Sequence, residues 1–364
     1  MSERLRVAVV GLGVGLQHVG AWRELSDRFE LAAVCDVNEK LARLVAEKLH
    51  VPRVETRFEA LLSGPDAPDV VDVCTPPHLH LEMSAAALRA GRHVVCEKPL
   101  VPSLAACDEL ARIEAESSAR LMPIFQYRFG TGLQKLLHLV ERGLTGRAYL
   151  STVETAWLRG SDYYAVGWRG RWQTELGGVM TTHAIHAHDI LCSVIGPVKS
   201  VFARTATRVN PIETEDCAAA SLLMADGSLA TLSATLGSRP EISRLRFCFE
   251  NLTAESSLSP YQPSFDPWTF TAANEDVQSG IDAALRDFPA GHQLYAGQFE
   301  RLHQALVSGG ELPVTLADAR AALELLTAIY HSSQTGAPVD LPIGPSHPRF
   351  GGWLRHPPDS HGGA

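Results

Sequence analysis

The first third of the chain alternates short apolar runs with stretches whose apolar residues recur at helical spacing. Leu5–Val10 and Phe29–Cys35 are continuous apolar runs, and Val70–Cys74 and His93–Cys96 repeat that look. Between them, Gly15–Leu25 reads as a helix, and Asn38 caps a second with Leu41, Leu44, Val45 and Leu49 on one face. A third helix runs through Leu81, Ala85 and Leu88, and Ser103 opens a fourth with Leu104, Cys107, Leu110 and Ala111 inward. Strands apolar on both faces, separated by amphipathic helices, predict an α/β architecture with a doubly wound parallel sheet of Rossmann type. We assign residues 1–123 to this domain.

Beyond Pro123 the pattern changes. Val198–Arg208, Ala219–Met224 and Ser228–Thr235 read as strands, with a tight turn at Ala225-Asp226-Gly227. Helical spacing recurs over Leu133–Arg142, His183–Ile195, Gln298–Ser308 and Leu316–Gln334. Residues 124–364 therefore predict an α+β domain with a large, mostly antiparallel open sheet. Residues 256–290, rich in Pro, Ser and Asp, read as a long excursion, and the chain from Pro342 onward reads as an extended tail.

Composition narrows the function classes. A length of 364 residues suits two domains. A net charge of −9 argues against a nucleic-acid partner, which would need a basic face. No apolar run approaches the roughly 20 residues that a membrane span needs. Met1-Ser2-Glu3-Arg4 leads directly into a strand, leaving no room for a signal peptide, and seven cysteines stand singly. Reduced thiols and a cytoplasmic location are the expectation.

The chemistry begins at Gly11-Leu12-Gly13-Val14-Gly15, between a strand and a helix. Gly11 permits the tight turn, Gly13 admits a pyrophosphate to the backbone, and the free N–H groups of the helix start supply positive potential. The usual G-x-G-x-x-G spacing would place the third glycine at Leu16, so Gly15 stands one residue early. Asp36 ends the second strand, about 20 residues on, where a carboxylate accepts hydrogen bonds from ribose hydroxyls. No arginine directly follows it, so NAD is expected rather than NADP. Val94-Val95-Cys96-Glu97-Lys98-Pro99 ends a core strand in two charges, with Lys98 at the carboxyl edge where cofactors lie. Thr75-Pro76-Pro77-His78-Leu79-His80 ends the preceding strand; His80 either lines the nicotinamide side or caps the next helix.

Together the GxG turn, Asp36, Thr75-Pro76 with His80, and Glu97-Lys98-Pro99 resemble the glucose–fructose oxidoreductase, inositol dehydrogenase and rhizopine-catabolism superfamily (Gfo/Idh/MocA). The resemblance runs through most of the chain, to Ala328-Ile329-Tyr330 and Val339-Asp340-Leu341-Pro342. It implies that Gly11, Gly13, Val14, Gly15, Asp36, Thr75, His80, Glu97 and Lys98 hold NAD, with Lys98 beside the nicotinamide and the substrate hydroxyl. In Gly177–Asp189 it implies that His186 is the histidine of a D-x-x-x-H motif, with Asp189 a further common acid. Thr182 stands where that aspartate is usual. Residues at i and i+4 share a helix face, so Thr182 and His186 are expected to converge; either substrate specificity has moved or His183 takes part of the lost role. Trp168 and Arg169 suit a polyhydroxylated or carboxylated ligand and equally an interface, and Arg128 stands where the family contacts substrate or cofactor. No metal is expected.

The expected activity is hydride transfer between NAD and a secondary hydroxyl of a sugar, polyol or related cyclic substrate, with Lys98 and His186 catalytic. The resemblance also allows redox-neutral glycoside cleavage or a non-catalytic NAD- and sugar-binding regulator. It implies a homodimer or homotetramer.

Overall fold

The computed structural model describes residues 4–289 and 291–353. The reading of Met1–Glu3 as strand lead-in, and that of the tail beyond residue 353, lie outside them. The apolar runs form a parallel six-stranded sheet: β1 (Leu5–Val10), β2 (Phe29–Cys35), β3 (Arg53–Glu55), β4 (Val70–Val73), β5 (His93–Cys96) and β6 (Leu121–Pro123), in the order β3-β2-β1-β4-β5-β6. Chain order reverses beside β1, so the carboxyl ends of β1 and β4 flank a crevice, the usual place for a ligand in such sheets. Helices α1 (Gly15–Glu24), α2 (Glu39–Leu49), α3 (His80–Arg89) and α4 (Leu104–Ala115) make the crossovers. Asn38 and Ser103 accept from backbone N–H groups three residues on and so cap α2 and α4. Leu44 and Ala111, expected inward, face solvent; Ala42 and Ala46 on α2, and Ala106 and Ile113 on α4, are buried instead.

After α5 (Thr131–Glu141) comes an eight-stranded sheet. Its strands are β7 (Ala148–Leu158), β8 (Val198–Ala206), β9 (Cys217–Met224), β10 (Leu229–Thr235), β11 (Gly237–Phe249), β12 (Leu252–Glu255), β13 (Thr269–Ala272) and β14 (Val339–Asp340). The order is β13-β12-β11-β7-β10-β9-β8-β14, antiparallel except where β10 runs parallel to β7. The remaining long helices are α6 (Ile185–Ile195), α7 (Glu275–Leu285), α8 (Leu294–Ser308) and α9 (Leu316–Thr335).

Two expectations change. The excursion over residues 256–290 contains β13 and α7. The segment after Pro342 packs as far as it is described: Trp353 is 1% exposed and donates to the Leu176 carbonyl at 2.6 Å. A division at 123/124 separates the two sheets but not their helices, because α8 crosses back onto α1. There Phe299 stacks on Trp22 with ring centroids 3.7 Å apart.

Candidate active site

At the end of β1 the chain turns through Gly11, whose φ of +90° suits glycine; a Cβ there would also lie 2.7 Å from the Cys74 carbonyl oxygen. A Cβ on Gly15 would come within 3.1 Å of Val9 Cγ1 and 3.2 Å of Cys74 Cβ. The glycine standing one residue early is therefore where α1 packs directly on the sheet, the part the third glycine of such turns plays. A Cβ on Gly13 would meet nothing within 4 Å, and no side chain caps the start of α1 at Val14. The turn thus faces a cleft with free backbone donors and open space, which fits a pyrophosphate. Asp36 accepts from the N–H groups of Leu12 (2.7 Å) and Asn38 (2.8 Å), fixing its carboxylate at the rim of the same cleft.

Glu97 leaves β5 into a buried network. His18 of α1 directs Nδ1 at Asp72 (2.9 Å) and Nε2 at Glu97 (3.0 Å). Trp22 donates to Asp72, Tyr295 donates to Glu97, and the Lys98 N–H donates to Glu97. With a carboxylate on each nitrogen, His18 is an imidazolium. Burial alone would lower its pKa, but Asp72 and Glu97 outweigh burial and raise it to about 9. Burial would raise Glu97, yet the His18 hydrogen bond and charge bring it down to about 2. Cys74 lies close by, and the atoms of His18, Asp72 and Cys74 fall within 4.8 Å of one another. Those of His18 and Asp72 are already engaged in the hydrogen bonds above, so the cluster reads as a buried ion network.

Lys98 follows, and its Nζ donates to the Thr182 carbonyl at 2.7 Å. Burial lowers its pKa, opposed by Glu97. Across the cleft, Glu215 holds the histidine-bearing segment: it accepts from the N–H groups of Gly178 and Met180 and from the Tyr330 hydroxyl. The helix expected from His183 is interrupted. One helical turn over Val179–Thr182 ends at His183, and α6 begins at Ile185. Thr182 and His186 therefore do not share one helix face, although both line the cleft. The Thr182 hydroxyl turns instead to the Gly178 carbonyl (2.7 Å) and to His183 Nδ1 (2.6 Å). Its single proton satisfies the carbonyl, so Oγ1 accepts from Nδ1–H, which leaves Nε2 of His183 as an acceptor. Burial holds both His183 and His186 well below the usual histidine range, with nearby cations reinforcing it, so both are neutral at pH 7. His186 stacks on Tyr127 at 4.6 Å, and its buried Nδ1 has no partner among the described residues.

These groups share one cleft of about 810 Å³, lined by Gly11–Val14, Asp36, Thr75, Glu97, Lys98, Trp168, Arg169, Thr182, His183 and His186. Three expected residues lie outside this lining: Gly15, which packs on the sheet as described, His80 and Arg128. His80 is buried between the carbonyls of Pro99 (2.9 Å) and Thr75 (2.8 Å), so it fixes the loop behind the cleft. Arg128 departs from its expected substrate contact: its guanidinium makes a bidentate pair with Asp189 (2.6 and 2.7 Å) and reaches Asp318 (3.0 Å). It ties the segment after β6 to α6 and α9, and Asp189 is spent in that clamp. Sequence reasoning missed Gln126, Trp157, Arg159, Tyr261 and Tyr295, which also line the cleft. They come from β7 and the residue after it, from α8, from the excursion and from the segment after β6, with no local motif among them.

A crevice at the strand-order reversal of a parallel sheet, with a glycine turn, an acidic residue and a lysine, defines a dinucleotide-dependent oxidoreductase. Residues 5–125 match the oxidoreductase family with NAD-binding Rossmann fold, and residues 133–255 match the GFO/IDH/MocA C-terminal domain. The chain belongs to the Gfo/Idh/MocA family and is an NAD-binding oxidoreductase. It is 28% identical to the D-glucoside 3-dehydrogenase of Escherichia coli, over 93% of this chain and 98% of that one. It is 30% identical to the myo-inositol 2-dehydrogenase of Thermotoga maritima, over 55% of this chain and 58% of that one. Among solved structures, the WlbA dehydrogenase of Bordetella pertussis in complex with NADH and UDP-GlcNAcA is similar, with a TM-score of 0.81, 26% identity, and coverage of 94% of this chain and all of that one. No helix among the described residues is long and apolar enough to cross a membrane.

Proposed function

We propose that the protein oxidises a secondary hydroxyl of a sugar, polyol or related cyclic substrate, or runs the reverse reduction. The observation that carries this reading is the meeting of Lys98 with two neutral imidazoles, His183 and His186, in the cleft that also contains the glycine turn. The named sugar and inositol dehydrogenases among the relatives support it. The turn Gly11–Gly15 and Asp36 would hold NAD, which when bound supplies the hydride acceptor at its nicotinamide ring. Loss of a hydride from the carbinol carbon leaves a carbonyl, and the hydroxyl proton must pass to the protein. Lys98, partly stripped of water, polarises the hydroxyl and relays that proton. His186, a neutral base, receives it. His183, fixed by Thr182, accepts a hydrogen bond from a neighbouring substrate hydroxyl through Nε2. Tyr127 against His186 and Trp157 against His183 limit ring rotation.

Screening sugars, inositols and polyols for NADH absorbance tests the reading. NADH accumulating one-for-one with oxidised product supports it, whereas product forming without NADH would show redox-neutral chemistry. His186→Ala is expected to lower kcat by about 100-fold or more, and His183→Ala is expected to act mainly through KM. Full kcat in the His186 variant would remove that imidazole from the proton path.

Coenzyme choice is a separate expectation. A 2′-phosphate would press a dianion against Asp36, and the cations lining the cleft, Lys98, Arg159 and Arg169, cluster around His183 instead. Calorimetric titration should show NAD binding more tightly than NADP, and Asp36→Ala should narrow the gap. NADP binding as tightly as NAD to the wild type would contradict this role for Asp36.

A further inference from the structure

Arg169 carries a positive charge that the protein leaves unanswered. Its guanidinium lies over the ring of Tyr163 at 3.8 Å and that of Trp168 at 4.6 Å, and it lines the cleft. Among the described residues no carboxylate lies within ion-pair distance and none of its N–H groups has an acceptor. Arg159, on the same side, is paired with Glu241 at 3.0 Å. The acid whose field Arg169 feels is Glu175, which burial pushes up to about 7 and whose carboxylate already accepts from the Gly170 N–H. At neutral pH it is therefore only partly ionised.

The surroundings sharpen the imbalance. Lys98 is hydrogen-bonded to a carbonyl and has no salt-bridge partner among the described residues, and both neighbouring imidazoles are neutral. Within the cleft Lys98 and Arg169 are thus the cations without an ion-pair partner among the described residues, while the ionised Glu97 is engaged by His18 and Asp36 stands at the coenzyme turn. Aromatic rings occupy the faces of a planar guanidinium and leave its edge, where the N–H fork projects, unused. The fork is reached from the cleft, so a ligand entering there can supply its acceptors in place of water. The fork matches the paired oxygens of a carboxylate or phosphate.

We propose that the substrate is anionic: a sugar or polyol carrying a carboxylate or phosphate that Arg169 takes through its free edge, while the hydroxyl to be oxidised lies at Lys98. This rests on the dehydrogenase reading above and names its substrate class. The pyrophosphate of the coenzyme belongs to the Gly11–Gly15 turn, so Arg169 discriminates among substrates.

The test compares D-glucuronate, D-gluconate and D-glucose 6-phosphate with D-glucose and myo-inositol, using the full chain with NAD. Two readouts are taken: NADH formation, and heat of binding to the NADH complex. At least one anion is expected to bind or turn over on the order of 100-fold better than its neutral counterpart, an advantage that falls with salt. Arg169→Gln should collapse the ratio by a similar factor, chiefly through KM, and Arg169→Lys should restore part of it. NADH should still bind both variants, which also reports that they fold. The carboxylate and phosphate arms identify which anion the fork takes. Neutral compounds binding as well as every anion, no heat with any anion, or an Arg169→Gln variant that has lost NADH would each overturn the proposal. If anions bind to the NADH complex but no compound is oxidised, the charge reading stands and the dehydrogenase reading fails.

Discussion

Lys98→Met is expected to lower kcat/KM by about a thousandfold while NADH binding persists. Methionine nearly preserves length and volume, so the loss would report the amino group and not the packing. The lysine is unusual in its setting: burial lowers its pKa, and among the described residues its ammonium has one hydrogen-bond partner, the Thr182 carbonyl. A lysine whose charged form is disfavoured can shed and regain a proton nearer neutrality than a solvated one. Oxidation should therefore gain rate as pH rises through an apparent pKa below the usual lysine value of 10.5, and that limb should vanish in the variant. His183 and His186 are held well below the usual 6.5 and stay neutral over this range, so they add no competing limb. A Lys98→Met enzyme within tenfold of wild type would take the ammonium out of the chemistry.

His18→Leu is expected to cost about 3–5 kcal/mol of stability, because it leaves Asp72 and Glu97 buried without the cation between them. The leucine fits apolar surroundings, Tyr295 and Phe299 among them, so a large loss would be electrostatic. The pH dependence follows from the folded-state values. His18 is raised from 6.5 to about 9, so its contribution is full below pH 6.5 and is lost as pH rises through 9. Glu97 is lowered from 4.5 to about 2, so its contribution is full above pH 4.5 and is lost as pH falls toward 2. Wild-type stability from this network should thus plateau between about pH 4.5 and 6.5 and decline on the alkaline side. Urea unfolding at several pH values measures both effects. An unchanged midpoint in the variant, or an alkaline decline that it retains, would refute the ion network.

The chain by itself determined the parallel sheet and the placing of the glycine turn, Asp36 and Lys98 at the ends of its strands, where they line one cleft. Each of these rests on contiguous residues: an apolar run buried on both faces, glycines spaced for a tight turn, charges at the end of a core strand. Gly15 was legible as an irregularity, and packing against Val9 and Cys74 supplied its reason. The tertiary structure decided the rest. That Thr182 serves His183 depends on a helix break at residues 183–184, beside a turn at Gly178 that Glu215 holds from the segment before β9. Arg128 became a clamp because Asp189 and Asp318, 61 and 190 residues away, converge on it. His18 read as one helical residue among eleven in Gly15–Leu25, and only the sheet beneath it brought Asp72 and Glu97 to its two nitrogens. Local sequence encodes interactions between neighbours along the chain, whereas a buried charge takes its meaning from whichever groups the fold leaves within hydrogen-bond reach.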